Sequence, residues 1–217
     1  DNPARWKGHL ENVLPKPSKV SKVKHHKAVP WLEINSFVRE LQQRDGMATR
    51  ALEFLILTAT RSGEVRLALW DEIDLEQRLW TIPEGRMKGA KEHRVPLSDE
   101  AITLLEALPR LDEHLFAVPR GGALSDMSLS AVVKRIGVDA VPHGFRSTFR
   151  DWAAEYTNYP NIVVEMALAH AIGNKVEAAY RRGDLLAKRT KLMNDWAVYC
   201  NTEYKKGTVT PIREKQV

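Results

Sequence analysis

The chain has 217 residues, 43% hydrophobic and 28% charged, which suits one well-cored domain, or a domain with an ordered appendage, and excludes disorder throughout. Its one cysteine, Cys200, leaves no disulfide framework and no cysteine-based zinc site, which fits a reducing cytoplasm. No apolar run reaches the roughly 18 residues of a membrane helix, because Glu53 and Thr58 interrupt the longest, residues 51–59. The first residue is Asp1, with no basic-then-apolar secretory pattern behind it, so the sequence reads as a soluble piece of a longer protein.

The net charge of +5 is local. Residues 1–28 carry Arg5, Lys7, Lys16, Lys19, Lys22, Lys24 and Lys27 against Asp1 and Glu11, which leaves the rest of the chain neutral. Residues 15–29 are a low-complexity Pro/Val/Ser/Lys stretch. It reads either as a basic linker lying along something acidic such as nucleic acid, or as a solvated tail. After Pro30, Ile34, Phe37, Val38 and Leu41 fall at helical spacing, and Asp45-Gly46 stops that helix. Leu52, Leu55, Ile56 and Ala59 predict a second helix. Over residues 67–97 short apolar pieces alternate with charges, and Gly85 and Gly89 supply turns, so an antiparallel sheet of about three strands is expected. Ser98, with Asp99 and Glu100 behind it, caps a helix carrying Ile102, Leu105 and Leu108 up to Pro109. Leu129, Val132, Val133 and Ile136 form a stripe ended by Gly137, and Leu192, Met193, Trp196 and Cys200 line a last one before Gly207. The expected fold is mainly α with a small antiparallel three-stranded β-sheet.

The histidines form no His-x-x-x-His pair or zincin motif, and no acidic cluster resembles a magnesium site. Neither Arg120-Gly121-Gly122 nor Lys88-Gly89 belongs to a phosphate loop. What remains are cationic and imidazole side chains at helix starts and turns. Arg61 precedes Glu64 by one helical turn, Lys88 adjoins Gly89, and His143 precedes Arg146 by one turn. Singly, each reads more simply as a surface ion pair, a solvated lysine or a helix-start residue. Their order carries the information. Arg61-x-x-Glu64, then Lys88 in a β-turn, then His143-x-x-Arg146, then His170 ten residues before Tyr180, resembles the catalytic set of the tyrosine recombinases. The similarity is close in detail to the integrases of prophages and genomic islands. It extends to Leu69-Trp70-Asp71-Glu72-Ile73-Asp74-Leu75, Trp80-Thr81-Ile82-Pro83, Val95-Pro96-Leu97-Ser98 and Ala178-Ala179-Tyr180-Arg181-Arg182.

The resemblance implies a tyrosine recombinase catalytic domain over residues 29–206, a basic interdomain linker at 1–28 and a flexible tail at 207–217, with the family's core-binding and arm-binding domains outside this sequence. It implies a site-specific recombinase that cleaves and rejoins duplex DNA attachment sites through a 3′-phosphotyrosyl intermediate, integrating or excising a mobile element without metal, ATP or other cofactor. By the family pattern, Arg61 and Arg146 bind the nonbridging phosphate oxygens and Lys88 protonates the leaving 5′ oxygen. His143 takes the proton of Tyr180, His170 hydrogen-bonds the phosphate, and Glu64 orients nearby basic groups. Tyr156 and Tyr159 precede His170, the wrong order for the family, while Tyr199 and Tyr204 lie on or after the last helical stripe. A bacterial cytoplasmic protein follows from the same pattern, acting on the nucleoid with no membrane, as a homotetramer on DNA when full-length and as a monomer when reduced to this fragment. Two alternatives stay open: a type IB topoisomerase-like enzyme that relaxes DNA, and a DNA-binding module without catalysis. The stretch from Trp70 to Lys88 argues against the first, and the six filled catalytic positions argue against the second.

Overall fold

The chain enters its helical body along residues 26–30 and a 3₁₀ turn at Trp31–Glu33, which leads into helix α1 (Ile34–Gln42). The computed structural model describes residues 2, 5–13, 26–170 and 183–202. Ahead of the body, Trp6–Leu10 is coiled irregularly, with non-helical dihedrals at Lys7 and Gly8, and Glu11–Val13 adds one short turn. Lys16, Lys19, Lys22, Lys24, Tyr204, Gly207 and the 207–217 tail lie outside the described residues.

The spacing that predicts α1 is the face it buries: Ile34, Phe37, Val38 and Leu41 are all in the core. Helix α2 (Met47–Thr58) follows after Gly46, whose φ of 112° makes the tight entry that a side chain would oppose. The sequence suggests one apolar stripe here, but α2 is buried nearly all round, from Ala51 to Thr58. It packs against α1 and against five helices still to come, so no face is left for solvent. Its one core carboxylate, Glu53, is paired with Gln42 Nε2 and Arg50 Nη1, each at 2.7 Å. Three residues, 59–61, separate α2 from helix α3 (Ser62–Arg66).

Strands β1 (Ile73–Asp74), β2 (Leu79–Ile82) and β3 (His93–Pro96) form the expected three-stranded antiparallel sheet, in the order β1-β2-β3. Trp80 stands opposite Ile73 on one side and Val95 on the other, and its ring packs on Phe54 of α2 at 5.3 Å. The turn chemistry differs from expectation. Gly85 and Gly89 both fall in the single β2–β3 connection. The β1–β2 turn has no glycine and uses Arg78 at φ 55°, with Asp74 Oδ1 accepting the Gln77 N–H at 2.7 Å.

Helix α4 (Asp99–Glu106) starts where Ser98 Oγ accepts the Ala101 N–H, as the sequence predicts. Its buried side is Ala101, Leu104 and Leu105, with Ile102 only partly covered, so the face is turned by about one position from the predicted one. Helix α5 (Ser128–Ile136) ends at Gly137 with φ 86°. Helix α6 (Gly144–Tyr156), α7 (Asn161–Ala167) and α8 (Leu186–Asn201) complete the body. The predicted stripe of Leu192, Met193, Trp196 and Cys200 is buried, and the regular helix stops at Asn201, short of Gly207. Trp196 packs on Trp152 of α6 at 5.0 Å and donates its Nε1–H to the Ile56 carbonyl of α2 at 2.8 Å, which locks α6, α8 and α2 together. Among the described residues no helix is long and apolar enough to cross a membrane.

Candidate active site

The exit of α2 is strained in a useful way. Ala59 adopts a left-handed conformation (φ 52°), which costs a non-glycine residue about 1–2 kcal/mol. Thr58 Oγ1 bonds the Phe54 carbonyl at 2.7 Å and Thr60 Oγ1 at 2.8 Å, pinning the turn. This geometry turns the Ala59 carbonyl toward Arg146 and delivers Arg61 to the start of α3. Ala169, beyond α7, repeats the device at φ 49°, and its carbonyl accepts from Arg61 Nη2 at 3.3 Å.

Arg146 lies on the inner side of α6 with Phe145 and Phe149 and is 4% exposed. Its Nη1 donates to the Ala59 carbonyl at 2.6 Å and its Nη2 to the Leu168 carbonyl at 2.5 Å. The same Nη2 lies 3.1 Å from His170 Nε2. Its Nε has no partner among the described residues, so one buried donor stays available. Arg61 is held on the other side, its Nη1 on Glu64 Oε1 at 2.7 Å while Glu64 Oε2 accepts the Arg61 backbone N–H at 2.8 Å. Glu64 is 5% exposed and thus serves the arginine and the helix start together.

His170 Nδ1 is 2.7 Å from Glu165 Oε2, and Glu165 Oε1 accepts from Arg150 Nε at 2.8 Å. With Nδ1–H donating to this carboxylate, the neutral ring presents its Nε2 lone pair to Arg146. Burial alone would raise the Glu165 carboxyl, but hydrogen bonds from Arg150 and His170 hold it below its ordinary value. Burial, and then the charge of Arg61, lowers the Arg146 guanidinium to about 10, so it remains a cation at neutral pH. Two guanidinium groups whose charges act on each other, one of them buried, favour an anion.

Arg61, Arg146 and His170 are therefore brought to one place from separate parts of the sequence: Arg146 meets His170 directly, and Arg61 reaches the carbonyl of the adjacent Ala169. His143 sits one turn before Arg146 at the exposed start of α6. Partial loss of water around its ring lowers its pKa, and Arg146, His26, Arg61 and His170 add to the effect. Lys88 is exposed in the β2–β3 connection and makes no hydrogen bond or ion pair to a described residue. Tyr180, like Arg181 and Arg182, lies outside the described residues. The other tyrosines within them have different surroundings. Tyr159 donates to Asp195 Oδ2 at 2.6 Å, and burial and that carboxylate raise its phenol to about 12. Tyr199 is in the core, and Tyr156 packs between Trp31 and Tyr199. Among the described residues, no three His, Cys, Asp or Glu side chains could hold a metal ion. A groove of about 730 Å³ between α1, α2, α4 and the end of α8, lined by Gln42, Met47, Glu53, Glu100, Leu104 and Asn201, contains none of these residues.

A family model described as the phage integrase family matches residues 31–185, most of the chain and every position named above except His26, Asp195, Tyr199 and Asn201. The chain belongs to the phage integrase family. Prophage integrase IntA of Escherichia coli (strain K12) is 38% identical over 159 residues, covering 70% of this chain and 38% of the relative. The integrase of Enterobacteria phage P4 is 31% identical over 203 residues, covering 82% of this chain and 46% of that protein. The chain thus spans less than half the length of these two relatives. Among solved structures, the integrase from mycobacterium phage Brujita aligns with a TM-score of 0.62 at 22% identity, over 90% of this chain and 65% of that one. A lambda integrase dimer bound to a COC' core site aligns at 0.51 and 16% identity, over 88% and 53%. These likenesses establish the fold as that of the tyrosine recombinase catalytic domain.

For this integrase-family domain, sequence reasoning missed Glu165, Arg150 and His93. No motif marks the first two, because their partner His170 is reached only across the turn after α7. His93 had a signal: it lies on β3 opposite Ile82, an inward position of a strand pair. It is 8% exposed, and burial, with Arg189 adding to it, lowers its pKa to about 4, although a hydrogen bond to the Ala167 backbone works the other way. The unfolded chain takes up a proton near pH 6.5 that the folded chain refuses until about 4, so stability present above 6.5 is lost as pH falls through that window. This group should contribute a loss of about 3 kcal/mol, and His93→Gln should remove that share in urea unfolding followed at pH 7 and pH 4.5. An unchanged difference between the two pH values would show that His93 charges freely in the folded protein.

Proposed function

We propose that this is the catalytic domain of a site-specific integrase that cleaves and rejoins duplex DNA, with Tyr180 as nucleophile. One observation carries the reading: Arg61, Arg146 and His170 converge, with Arg146 buried and one of its donors unpartnered. In-line attack on a phosphodiester places negative charge on the nonbridging oxygens. Two guanidinium groups fixed in advance by carbonyls and Glu64 meet that charge without reorganising. The phenol oxygen of Tyr180 attacks phosphorus, the bond to the 5′ oxygen breaks, and a 3′-phosphotyrosine and a 5′-hydroxyl result. His143 accepts the phenol proton, a role suited to an imidazole held below its ordinary pKa and so neutral at pH 7. Lys88 supplies the proton to the departing oxygen, and its exposed position on a β-turn allows it to reach a bound duplex. His170 steadies Arg146 through Nε2, and donating to the phosphate as well requires a second proton on its ring, because Nδ1–H is held by Glu165. Attack by a second 5′-hydroxyl reverses the steps, and the energy stored in the phosphotyrosyl bond makes ATP unnecessary.

The assignment of Tyr180 rests on its place ten residues after His170 and on the surroundings of Tyr156, Tyr159 and Tyr199. In this reading residues 29–206 are the catalytic body, 1–28 the interdomain linker and 207–217 the tail. The full-length protein works in the bacterial cytoplasm as a tetramer on paired attachment sites, an assembly for which the lambda integrase tetramer bound to a Holliday junction offers the precedent. The isolated fragment is a monomer that binds DNA weakly and with strong salt dependence.

Tyr180→Phe should abolish covalent attachment to a nicked DNA duplex on denaturing gels while leaving noncovalent binding intact, and wild-type attachment should survive EDTA. Covalent product in the variant would move the nucleophile to another tyrosine. Arg146→Lys should lower cleavage by about 100-fold or more, because an ammonium cannot hold both carbonyls and still present a planar fork to phosphate. Near-normal cleavage would make Arg146 a structural residue.

A further inference from the structure

The chain that enters the domain crosses the start of α6 and touches the site. The Lys27 carbonyl accepts the Val141 N–H at 3.1 Å, the Val29 carbonyl accepts from Thr148 Oγ1 at 2.6 Å, and Lys27 Nζ pairs with Asp139 at 2.8 Å. Gly144 admits this approach: a Cβ there would lie 2.1 Å from the Lys27 carbonyl oxygen and 2.9 Å from Ala28 Cα. Held in this way, His26 sets its ring edge-on against His143, with centroids 4.5 Å apart and planes at 63°. His26 falls within residues 1–28, which the sequence pattern marks only as a basic linker.

We propose that His26 is a positioning residue for His143, and that residues 26–29 form a strap that makes the entering chain part of the active-site wall. An imidazole at the exposed start of a helix is otherwise free to turn about χ2, and an edge-to-face neighbour restricts it to one orientation. The groups acting on His143 are Arg146 from α6, Arg61 from the start of α3, His170 beyond α7, and His26 from the strap. The strap's other charge, Lys27, is already paired with Asp139. All four are cations or become cations on protonation, so each disfavours a charge on His143. Of the four, only His26 comes from the entering chain. The inference rests on the functional reading only where His143 is said to move a proton; the ring contact stands without it.

The experiment is a histidine NMR titration of the 217-residue chain and its variants, with DNA cleavage against pH as a second arm. In His26→Ala the pKa of His143 should move up toward the ordinary imidazole value. In His26→Phe, which keeps an aromatic edge and removes the charge, it should move less. Gly144→Ala should move it up with His26 still present, because the added methyl pushes the strap away. The acid limb of cleavage should shift upward in parallel in His26→Ala, with the phenylalanine variant restoring part of the low-pH rate. An unmoved His143 pKa in His26→Ala would overturn the proposal. A moved pKa with an unmoved cleavage profile would uphold the strap and instead remove His143 from proton transfer, so the two failures are told apart.

Discussion

A guanidinium taken out of water must have its donors satisfied by the protein, and the burial of Arg146 is the constraint on which the site depends. Two backbone carbonyls take its Nη1 and Nη2 donors and leave Nε without a partner among the described residues: Ala59 at the end of α2 and Leu168 at the end of α7. Neither carbonyl would point inward from a regular helix interior, where it would be bonded to the next turn. Both helices must therefore end at the site. That requirement explains a left-handed alanine after each of them, and it makes the most buried helix of the fold responsible for the placement of Arg61 as well. The arrangement stores backbone strain and like-charge repulsion together. On the proposed reading a bound phosphate would relieve the repulsion, so that a stable scaffold can hold a site suited to an anion.

The framework around this centre is a set of struts. Trp196 ties α8 to α2, and Trp80 ties the sheet to Phe54 of the same helix. At the start of α8, Arg189 is 2% exposed. Its Nε donates to the Asp184 carbonyl at 2.7 Å, its Nη2 reaches Asp184 Oδ2 at 3.0 Å, and its Nη1 donates to the Arg94 carbonyl of β3. The chain on the far side of the 171–182 segment is thus anchored to the sheet, as His170 on the near side is anchored through Glu165 to Arg150. Arg189 is the buried member of its pair, so losing the half-exposed Asp184 would leave a buried charge without its counterion, whereas the pairs of Glu165 with Arg150 and His170 are more open to solvent.

Much of this was legible in the sequence, for reasons that can be named. Helical periodicity marks α1, α5 and α8 because each lays one face on the core, and Ser98 and Gly137 mark boundaries because their chemistry acts locally. Periodicity misreads α2, which has no solvent face, and turns the buried side of α4 by about one position. Glycine counting misplaces the β1–β2 turn, where Arg78 takes the left-handed conformation instead. At the site, Arg61, His143, Arg146 and His170 are legible only through the resemblance of their joint order to the tyrosine recombinase set. The Glu165–Arg150 support, the two left-handed alanines and the contact of His26 with His143 depend on three-dimensional approach and carry no sequence signature.

The central claim is that Arg146 and Arg61 together form one preformed phosphate site. Arginine Nε–H NMR during titration with orthovanadate, a mimic of the phosphoryl group under attack, tests it most directly. The account predicts that the Arg146 and Arg61 signals move together and saturably, with Arg146 Nε–H, unpartnered among the described residues in the free protein, shifting most. Binding that leaves the Arg146 signal in place, or that moves only exposed arginines, would contradict it.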